Sequence, residues 1–427
     1  MNPMTARSVN RLARSVLAAS LLLGLAPAAA ASVLVVSAGG GPGVDFTSVQ
    51  AAVDAAADGD VLLVVGVSTS HIDEVLAMPD KGLVIMGLSS PFFGKPQVGR
   101  LNLPGLSAGR SVIVRGLSVG PVQVDGCAGA VLLEDCAIGG GQVPFAAPFT
   151  AVKNSAHVAF TRCTFLGAAS GFGTFPGEAG LAVDASTVAL YDCQLTGGAG
   201  RDATFLFDEV VGAVATEGGQ GLQIWSGTVF ASGSEIRGGE GGSGAVSQSG
   251  LSCQSPKKGG TGVRTHGQLI RLDTTIAGGL PGFAPPCASP ANQGADVITQ
   301  GDGSVSVLPE AARELEITSP VESDGDCHVS IVGQPGDNVV LLQSLVAFGQ
   351  LHAGLKGMLA GQPPYFTFLL GTIGPTGSIN FNAHMPPGPL PAGIEAVTLI
   401  VQVLTGADSG GGLLSSPSVI TLVDDLP

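Results

Sequence analysis

VAFTRCTFLG at residues 158–167 is the stretch that decides the fold, because its pattern V-x-Φ-x-x-C-x-Φ-x-G, with Φ an apolar residue, recurs along the chain. The same pattern, with Cys, Ser or Thr at its sixth position, recurs at 131–140, 188–198, 229–239 and 269–279. Such self-similarity is typical of solenoids, in which each copy buries its apolar face by stacking on the next. The sequence therefore predicts a repeat protein.

The spacing inside the template indicates strands. Val158 and Phe160 are two positions apart, and two polar residues separate them from a second alternating pair, Cys163 and Phe165. A period of two describes two short strands joined by a bend, whereas helical repeats need spacings of three and four. A third short strand precedes each template, as at 151–154. We therefore expect an all-β fold, a parallel β-helix over residues 32–308.

Composition and charge agree with this fold and limit the partners. The chain has 427 residues with 66 Gly, 12% charged and 5% aromatic residues, which suits a narrow apolar core with tight glycine turns. Its length leaves room for one long solenoid and one further domain. The net charge is −15 with only 18 Lys and Arg, so no nucleic-acid partner is expected, since no basic patch can neutralise phosphates.

Residues 1–31 have the organisation of a secretory signal peptide. Basic residues Arg7, Arg11 and Arg14 precede an apolar segment at 16–26, and small residues follow at 28–31. The apolar run is shorter than the roughly 20 residues that span a bilayer. We expect a secreted protein, extracellular or associated with the cell surface, without a transmembrane segment once the signal is removed.

GPGVDFTSVQAAVDAAADGDVLLVVG at 41–66 resembles the N-terminal segment of pectinesterases and related pectin-lyase-like β-helix proteins, whose pattern is GDFxTIQxAVDAAxxGDxIxVxxG. Within it, Asp45 or Thr47 could cap a helix at about 46–57 whose apolar face would close the open end of the solenoid. The tyrosine that the family carries after this segment is absent from Gly66-Val67-Ser68, and its other esterase segments have no counterpart. The resemblance thus implies the fold and supplies no catalytic residue.

Pectin-lyase-like proteins bind polysaccharide along the strands that here precede each template, so candidate site residues are sought on that face. Alignment of these strands predicts one outward column: Asp125, Lys153, Asp184, Trp225 and Arg264. Nearby residues are Gln123, Gln223 and His266. Carboxylates, a histidine and an arginine are acid–base groups, so the catalytic candidates are Asp125, Asp184, Arg264 and His266.

The remaining residues of this face are candidates for binding a ligand. Gln123, Lys153, Gln223 and Trp225 could contact a glycan, with the only tryptophan stacking on a sugar ring. No cofactor or metal is expected, although a calcium requirement would support a lyase. The alternative is a solvated face on which charges alternate to keep like charges apart. A second such column, Asp135, Arg162 and Asp192, falls in bends where no groove is expected.

Five long loops each join a template to the next strand, at 139–150, 167–180, 197–221, 238–261 and 278–295. They should project from one edge of the solenoid. Two interpretations are open: a wall beside the groove, or Gly-rich loops that are easily lengthened.

The cysteines fall into two groups. Cys253 and Cys287 lie in two of these loops and are candidates for a disulfide in an oxidising compartment. The cysteines of the templates, Cys136, Cys163 and Cys193, are expected as a ladder of buried thiols, and Cys127 and Cys327 stay unassigned.

The template ends at about residue 309, and residues 309–427 show longer alternating segments such as NVVLLQSL and AVTLIVQVL separated by Pro and Gly. Seven or so strands of this kind predict a small β-sandwich, a domain type often used for attachment or binding. Asp324 and Asp326 lack a complete calcium-loop pattern, so a turn is expected there.

Three functions are compatible with these patterns. The first is binding or scaffolding of extracellular polysaccharide without catalysis, favoured by the missing esterase segments. The second is a polysaccharide-active enzyme, a lyase, esterase or hydrolase, working on the face described above. The third is a structural or adhesive spacer in which the solenoid is a stiff rod.

Overall fold

A computed structural model describes residues 31–66, 74–89, 94–139, 149–171, 175–207, 210–352, 354–385, 390, 393–406, 410–424 and 426. The predicted signal peptide at 1–31 lies almost entirely outside these residues. The described chain is nearly all β-structure, and most of its strands pair in parallel. No described helix is long and apolar enough to cross a membrane.

Residues 33–308 form three long parallel sheets. Sheet A contains β1 Val33–Val36, β2 Val61–Val65, β4 Leu83–Leu88, β7 Ser111–Arg115, β10 Ala130–Glu134, β13 Val158–Thr161, β16 Ser186–Tyr191, β21 Gly227–Ser232, β26 Gln268–Leu272 and β29 Ser304–Leu308. Sheet B contains β3 Val75–Ala77, β6 Arg100–Pro104, β9 Val122–Asp125, β12 Ala151–Lys153, β15 Leu181–Asp184, β20 Leu222–Ile224, β25 Val263–Thr265 and β28 Val297–Thr299. Sheet C contains β5 Gln97–Val98, β8 Ser118–Val119, β11 Ala137–Gly139, β14 Thr164–Leu166, β17 Gln194–Thr196, β22 Glu235–Arg237 and β27 Thr275–Ala277.

From β6 onward the chain passes through sheets B, A and C in rotation, and successive copies of the template pair in register. Val158 lies between Val131 and Val188, and Phe160 lies between Leu133 and Leu190. Inward side chains of all three sheets form one buried cluster, which includes Val152, Phe160 and Cys163. The apolar residues that alternate in the sequence therefore form one continuous core between the three sheets. This arrangement is compatible with a β-helix.

The bend between sheets A and C requires an unusual backbone. Asp135, Arg162, Asp192 and Asp273 have φ between 46° and 54°, and Gly233 has φ 61° at the equivalent place. This left-handed conformation turns the chain sharply between two strands that both point apolar side chains inward. These five residues form a column on the outside of the bends, hereafter the bend column.

A single described helix, α1 Val49–Ala55, lies in the segment that resembles pectinesterases. Its buried residues are Val49, Ala52 and Val53, as the apolar pattern predicts. The predicted N-caps are wrong, because the oxygen that accepts a hydrogen bond from the Ala51 N–H belongs to Ser48, at 3.2 Å. Asp45 instead accepts a hydrogen bond from Val35 of β1.

The long loops from the third template onward are organised by backbone hydrogen bonds. Segments leaving sheet C, at 197–203, 238–244 and 278–283, bond side by side in an outgoing layer, as Gly197 N–H to Arg237 O and Gly238 N–H to Ala277 O. Segments returning to sheet B, at 215–221, 256–262 and 292–296, form a returning layer in the same way. Bonds such as Gly239 N–H to Gly219 O join the two layers. Together they form a glycine slab.

Glycine is required in the slab because the chains approach closely. A Cβ added to Gly239 would clash with the Gly198 carbonyl oxygen, and one added to Gly260 would clash with that of Gly219. The interpretation of these segments as easily lengthened loops is therefore wrong.

Two hairpins extend from the slab, β18 Thr204–Phe207 with β19 Val210–Ala213, and β23 Ala245–Val246 with β24 Cys253–Gln254. A disulfide joins Cys253 to Cys287, whereas the other five cysteines are free and buried.

Residues 309–427, hereafter the C-terminal unit, contain two further sheets and a hairpin. Sheet D contains β30 Glu314–Ile317, β32 Asp326–Val332 and β38 Ser378–His384. Sheet E contains β31 Val321–Glu322, β33 Asn338–Ser344, β35 Leu355–Lys356, β37 Phe366–Thr372, β39 Ala396–Gly406, β40 Gly412–Leu414 and β41 Ser418–Val423. The hairpin pairs β34 Ala347–Leu351 with β36 Met358–Gly361. Side chains of both sheets share one buried core.

The C-terminal unit packs on the outward face of sheet A. Leu63, Ile113 and Phe230 of sheet A belong to the same buried cluster as Ile400 and Val419 of sheet E. Such a face would be a large apolar surface if it were exposed. The apolar residues at outward positions of sheet A are thus explained by this contact.

Candidate functional site

The outward face of sheet B carries the predicted site residues in two columns. Register places Gln123, Ala151, Ala182, Gln223 and Arg264 in the first column. The second column begins with Asp125, Lys153 and Asp184, which are paired in β9, β12 and β15. It continues with Trp225 and His266, which follow the paired residues Ile224 and Thr265.

The structure corrects the position of Arg264. Alignment of apolar residues placed it beside Trp225, but Ile224 pairs with Thr265 and not with Val263, so Arg264 lies beside Gln223. Thr265 takes the inward position and is fully buried, with its hydroxyl donating to the Gly267 carbonyl at 3.0 Å. Alignment by apolar residues puts Val263 in the inward position that the polar Thr265 occupies, and the predicted register of this strand is therefore wrong by two positions.

His266 takes the place beside Trp225. The two rings stack with centroids 5.8 Å apart and an interplanar angle of 20°. The indole is 50% exposed, which is unusual for so large an apolar ring on a sheet. An aromatic pair fixed in position on a rigid sheet is a suitable platform for a sugar ring.

Each carboxylate of the second column is held by a residue of the following repeat. Asp125 accepts a hydrogen bond from the Asn154 amide at 3.1 Å, and Asp184 accepts one from the Ser226 hydroxyl at 2.8 Å. Lys153 lies between the two carboxylates in register, is exposed, and forms no ion pair among the described residues. The carboxylates are therefore two strand spacings apart, about 9.5 Å between their Cα atoms.

In the first column, the glutamines and the arginine differ in how they are held. The Gln123 side chain donates to the Phe149 carbonyl, so it is fixed against the chain that enters β12. Gln223 and Arg264 are half-buried neighbours. The Nε atom of Arg264 is shielded from solvent and finds no hydrogen-bond partner in the described structure.

The glycine slab borders this face, where the sequence analysis placed a wall of loops as one alternative, but its two hydrogen-bonded layers were not predicted. The returning layer leads directly into sheet B, since Gly221 precedes β20 and its N–H donates to Thr261 O. On this layer Lys258 and Glu217 form an exposed ion pair of 3.5 Å. The signal in the sequence was the recurrence of glycine pairs at 197–198, 218–219, 238–239, 259–260 and 278–279.

Metal ligands and known relatives give no further assignment. No group of three or more His, Cys, Asp or Glu side chains in the described residues is arranged to hold a metal ion.

Comparison with known proteins finds no family model that matches the chain and no curated protein that matches it. The function must therefore be argued from the geometry.

Proposed function

We propose that this protein is an exported, right-handed parallel β-helix protein that binds extracellular polysaccharide on the outward face of sheet B without cleaving it. In this proposal α1 closes the N-terminal end of the solenoid, as in the pectin-lyase-like proteins that residues 41–66 resemble, and the C-terminal unit is a β-sandwich. The disulfide between Cys253 and Cys287 supports export, because disulfides persist in oxidising compartments.

The observation that carries the proposal is the half-exposed Trp225 stacked on His266. Around this pair lie groups that donate and accept hydrogen bonds, with Asp184 and Lys153 along the same column and Gln223 and Arg264 beside it. Glycan sites combine an aromatic platform with polar groups that fix the orientation of the sugar. The rigid sheet holds all of them at fixed spacing.

Binding is favoured over hydrolysis by the separation of the carboxylates. A retaining glycosidase has its two carboxyl groups about 5–5.5 Å apart, whereas Asp125 and Asp184 lie on strands that are two spacings apart, about 9.5 Å between Cα atoms, and each carboxylate is held by another residue. An inverting enzyme has them about 6.5–9.5 Å apart, so this is the hydrolytic arrangement that the spacing of the two strands leaves open. A polysaccharide-active enzyme using Asp125, Asp184, Arg264 or His266 is the second candidate, favoured by the unpartnered Nε of Arg264.

The test is to mix the mature chain, residues 32–427, with neutral and uronic polysaccharides, with and without calcium. Binding is measured by calorimetry and by the fluorescence of the single tryptophan, and turnover by reducing ends, released methanol and unsaturated-product absorbance. We expect binding without product, and loss of at least ten-fold in affinity for Trp225→Ala, a loss that corresponds to about 1.4 kcal/mol. Leu369→Ala, which truncates an apolar side chain that is 72% exposed on the C-terminal unit, is the control and should bind normally.

Two results would replace the proposal. Product formation that is abolished by Asp184→Ala or Arg264→Ala would establish the enzyme. Neither binding nor turnover on any polysaccharide would leave the spacer function.

A further inference from the structure

The C-terminal unit packs against the bend column, in which Asp135, Arg162 and Asp192 are half-buried and Asp273 stays exposed. The guanidinium of Arg162 donates to the Leu315 carbonyl of β30 at 2.8 Å, and Glu134 accepts the Val419 N–H of β41 at 2.9 Å. Asp273 accepts the Ala312 N–H at 3.1 Å. The sequence placed these charges only in bends where no groove is expected and did not predict that another part of the chain packs on them.

The arginines beside Asp135 are already paired with carboxylates. Arg115 and Arg162 are both engaged with Glu134 and Asp135. The carboxylates of Asp273 and Glu314, which are exposed, are close enough to Asp192 for their negative charges to act on it. The positive charge available to them is therefore already shared with other residues.

Asp192 is the least well satisfied of these carboxylates. Gly233, the next residue in the bend column, lies so close that an added Cβ would clash with Asp192 Oδ1. Asp192 Oδ2 is shielded from solvent and accepts no hydrogen bond from the described residues. The groups that face Asp192 are Arg162 and Asp273 of the bend column, Tyr191 beside it, and Glu314 and Ser416 of the C-terminal unit.

We propose that docking of the C-terminal unit on the bend column is proton-dependent, tight while Asp192 is neutral and weaker once Asp192 is ionised. The ionised carboxylate would keep its Oδ2 shielded from solvent and without a hydrogen-bond donor, within reach of the negative charges of Glu314 and Asp273, so its charge would be unfavourable there. The segments that would loosen are those packed on the column, residues 312–317 and 415–419.

The direction of the effect follows from where Asp192 titrates. Burial, followed by the charge of Glu314 and more weakly that of Asp273, raises the pKa of Asp192 to about 7, against opposing contributions from the Ser416 hydrogen bond and Arg162. When the segment opens, the carboxyl returns to its ordinary pKa of 3.8. Docking is therefore strongest below pH 3.8, weakens as the pH rises toward 7, and weakens no further once Asp192 is ionised in the docked state.

The test is amide hydrogen exchange of the full chain at pH 5.5 and 7.5, corrected for the intrinsic pH dependence of exchange. Peptides covering 312–317 and 415–419 should lose on the order of twenty-fold in protection between the two pH values, since docking weakens about ten-fold per pH unit up to about pH 7 and little above it. Asp192→Asn should remove most of that change. Asp302→Asn, which neutralises an exposed carboxylate in a turn, should keep it.

Equal protection of these peptides at both pH values in the unmodified protein would overturn the proposal. So would an unchanged pH dependence in a folded Asp192→Asn variant. If that variant does not fold, Glu314→Gln serves instead. It removes the neighbouring negative charge that acts most strongly on Asp192, so it must reduce the loss of protection at pH 7.5. Retention of the full loss in Glu314→Gln would equally overturn the proposal.

Discussion

The phenolic oxygen of Tyr191 accepts a hydrogen bond of 2.7 Å from the backbone N–H of Met358, although the two residues are 167 positions apart. Tyr191 lies on the outward face of sheet A and Met358 on the hairpin of the C-terminal unit, and both are fully buried. Like the hydrogen bonds of Arg115, Glu134 and Arg162, this bond crosses from the parallel sheets to the C-terminal unit. It shows that the C-terminal unit is packed as part of the core.

Tyr191→Phe is expected to destabilise the protein by about 1–3 kcal/mol, because the Met358 N–H would stay buried without an acceptor. Chemical denaturation measures the change in unfolding free energy. The matched control is Tyr365→Phe, since Tyr365 is the only other tyrosine and its hydroxyl donates to Gly361 near the surface. An equal effect of both substitutions would contradict the role assigned to Tyr191.

Removal of the C-terminal unit is expected to make the rest of the protein aggregate. Residues 32–308 alone would expose Leu63, Ile113, Leu132 and Phe230, which are now buried against that unit. Size-exclusion chromatography should show large assemblies, and an apolar dye should bind strongly. A monodisperse fragment that binds no dye would show that this face tolerates water.

Gly239→Ala is expected to disrupt the glycine slab. The added methyl would clash with the Gly198 carbonyl oxygen, so neighbouring chains must separate, at a cost of about 1–3 kcal/mol or more. Glu240→Ala, one residue further on, changes an exposed side chain and should have little effect on thermal unfolding. Equal melting temperatures for the two variants would mean that the slab is not tightly packed.

Asp326→Asn is expected to lower the pKa of His384. The imidazole is bonded to Asp326 at 3.1 Å and to Asp324 at 3.0 Å, and these carboxylates raise its pKa. Because the pKa is raised on folding, the stabilisation is complete below the ordinary histidine pKa and is lost as the pH rises through the raised value. An NMR titration of the His384 ring measures this, with Asp302→Asn as a control. A pKa that does not move in Asp326→Asn would show that the contact is absent in solution.

Arg271→Leu is expected to promote self-association. Arg271 takes the inward position held by Phe160, Leu190 and Ala231 in earlier repeats, next to the last strand of sheet A, where Val307 is 60% exposed. Inward-pointing charges protect exposed strand edges from pairing with another chain. Light scattering should show a mass that rises with concentration for Arg271→Leu and stays constant for Arg271→Lys. Constant mass for both would mean that the end of the sheets is protected in another way.

The strand pattern was predictable from local sequence, and the side on which some residues lie was not. The template positions Val158, Phe160 and Cys163 are buried as their period of two predicts. Arg264 was assigned to the wrong column because the register depended on Thr265, whose burial is satisfied by a hydrogen bond that the sequence does not show. Polar residues at inward positions are therefore where alignment by hydrophobicity fails.

By itself the sequence determined that this chain is all β-structure with parallel sheets, because alternation of apolar residues within one repeating template is a local property of the chain. Only the tertiary structure decided what covers the outside of those sheets. The C-terminal unit packs against the bend column, and glycine segments bond to one another in two layers. Both depend on contacts between residues far apart in the chain, whose complementarity of shape and charge has no period that a sequence could display.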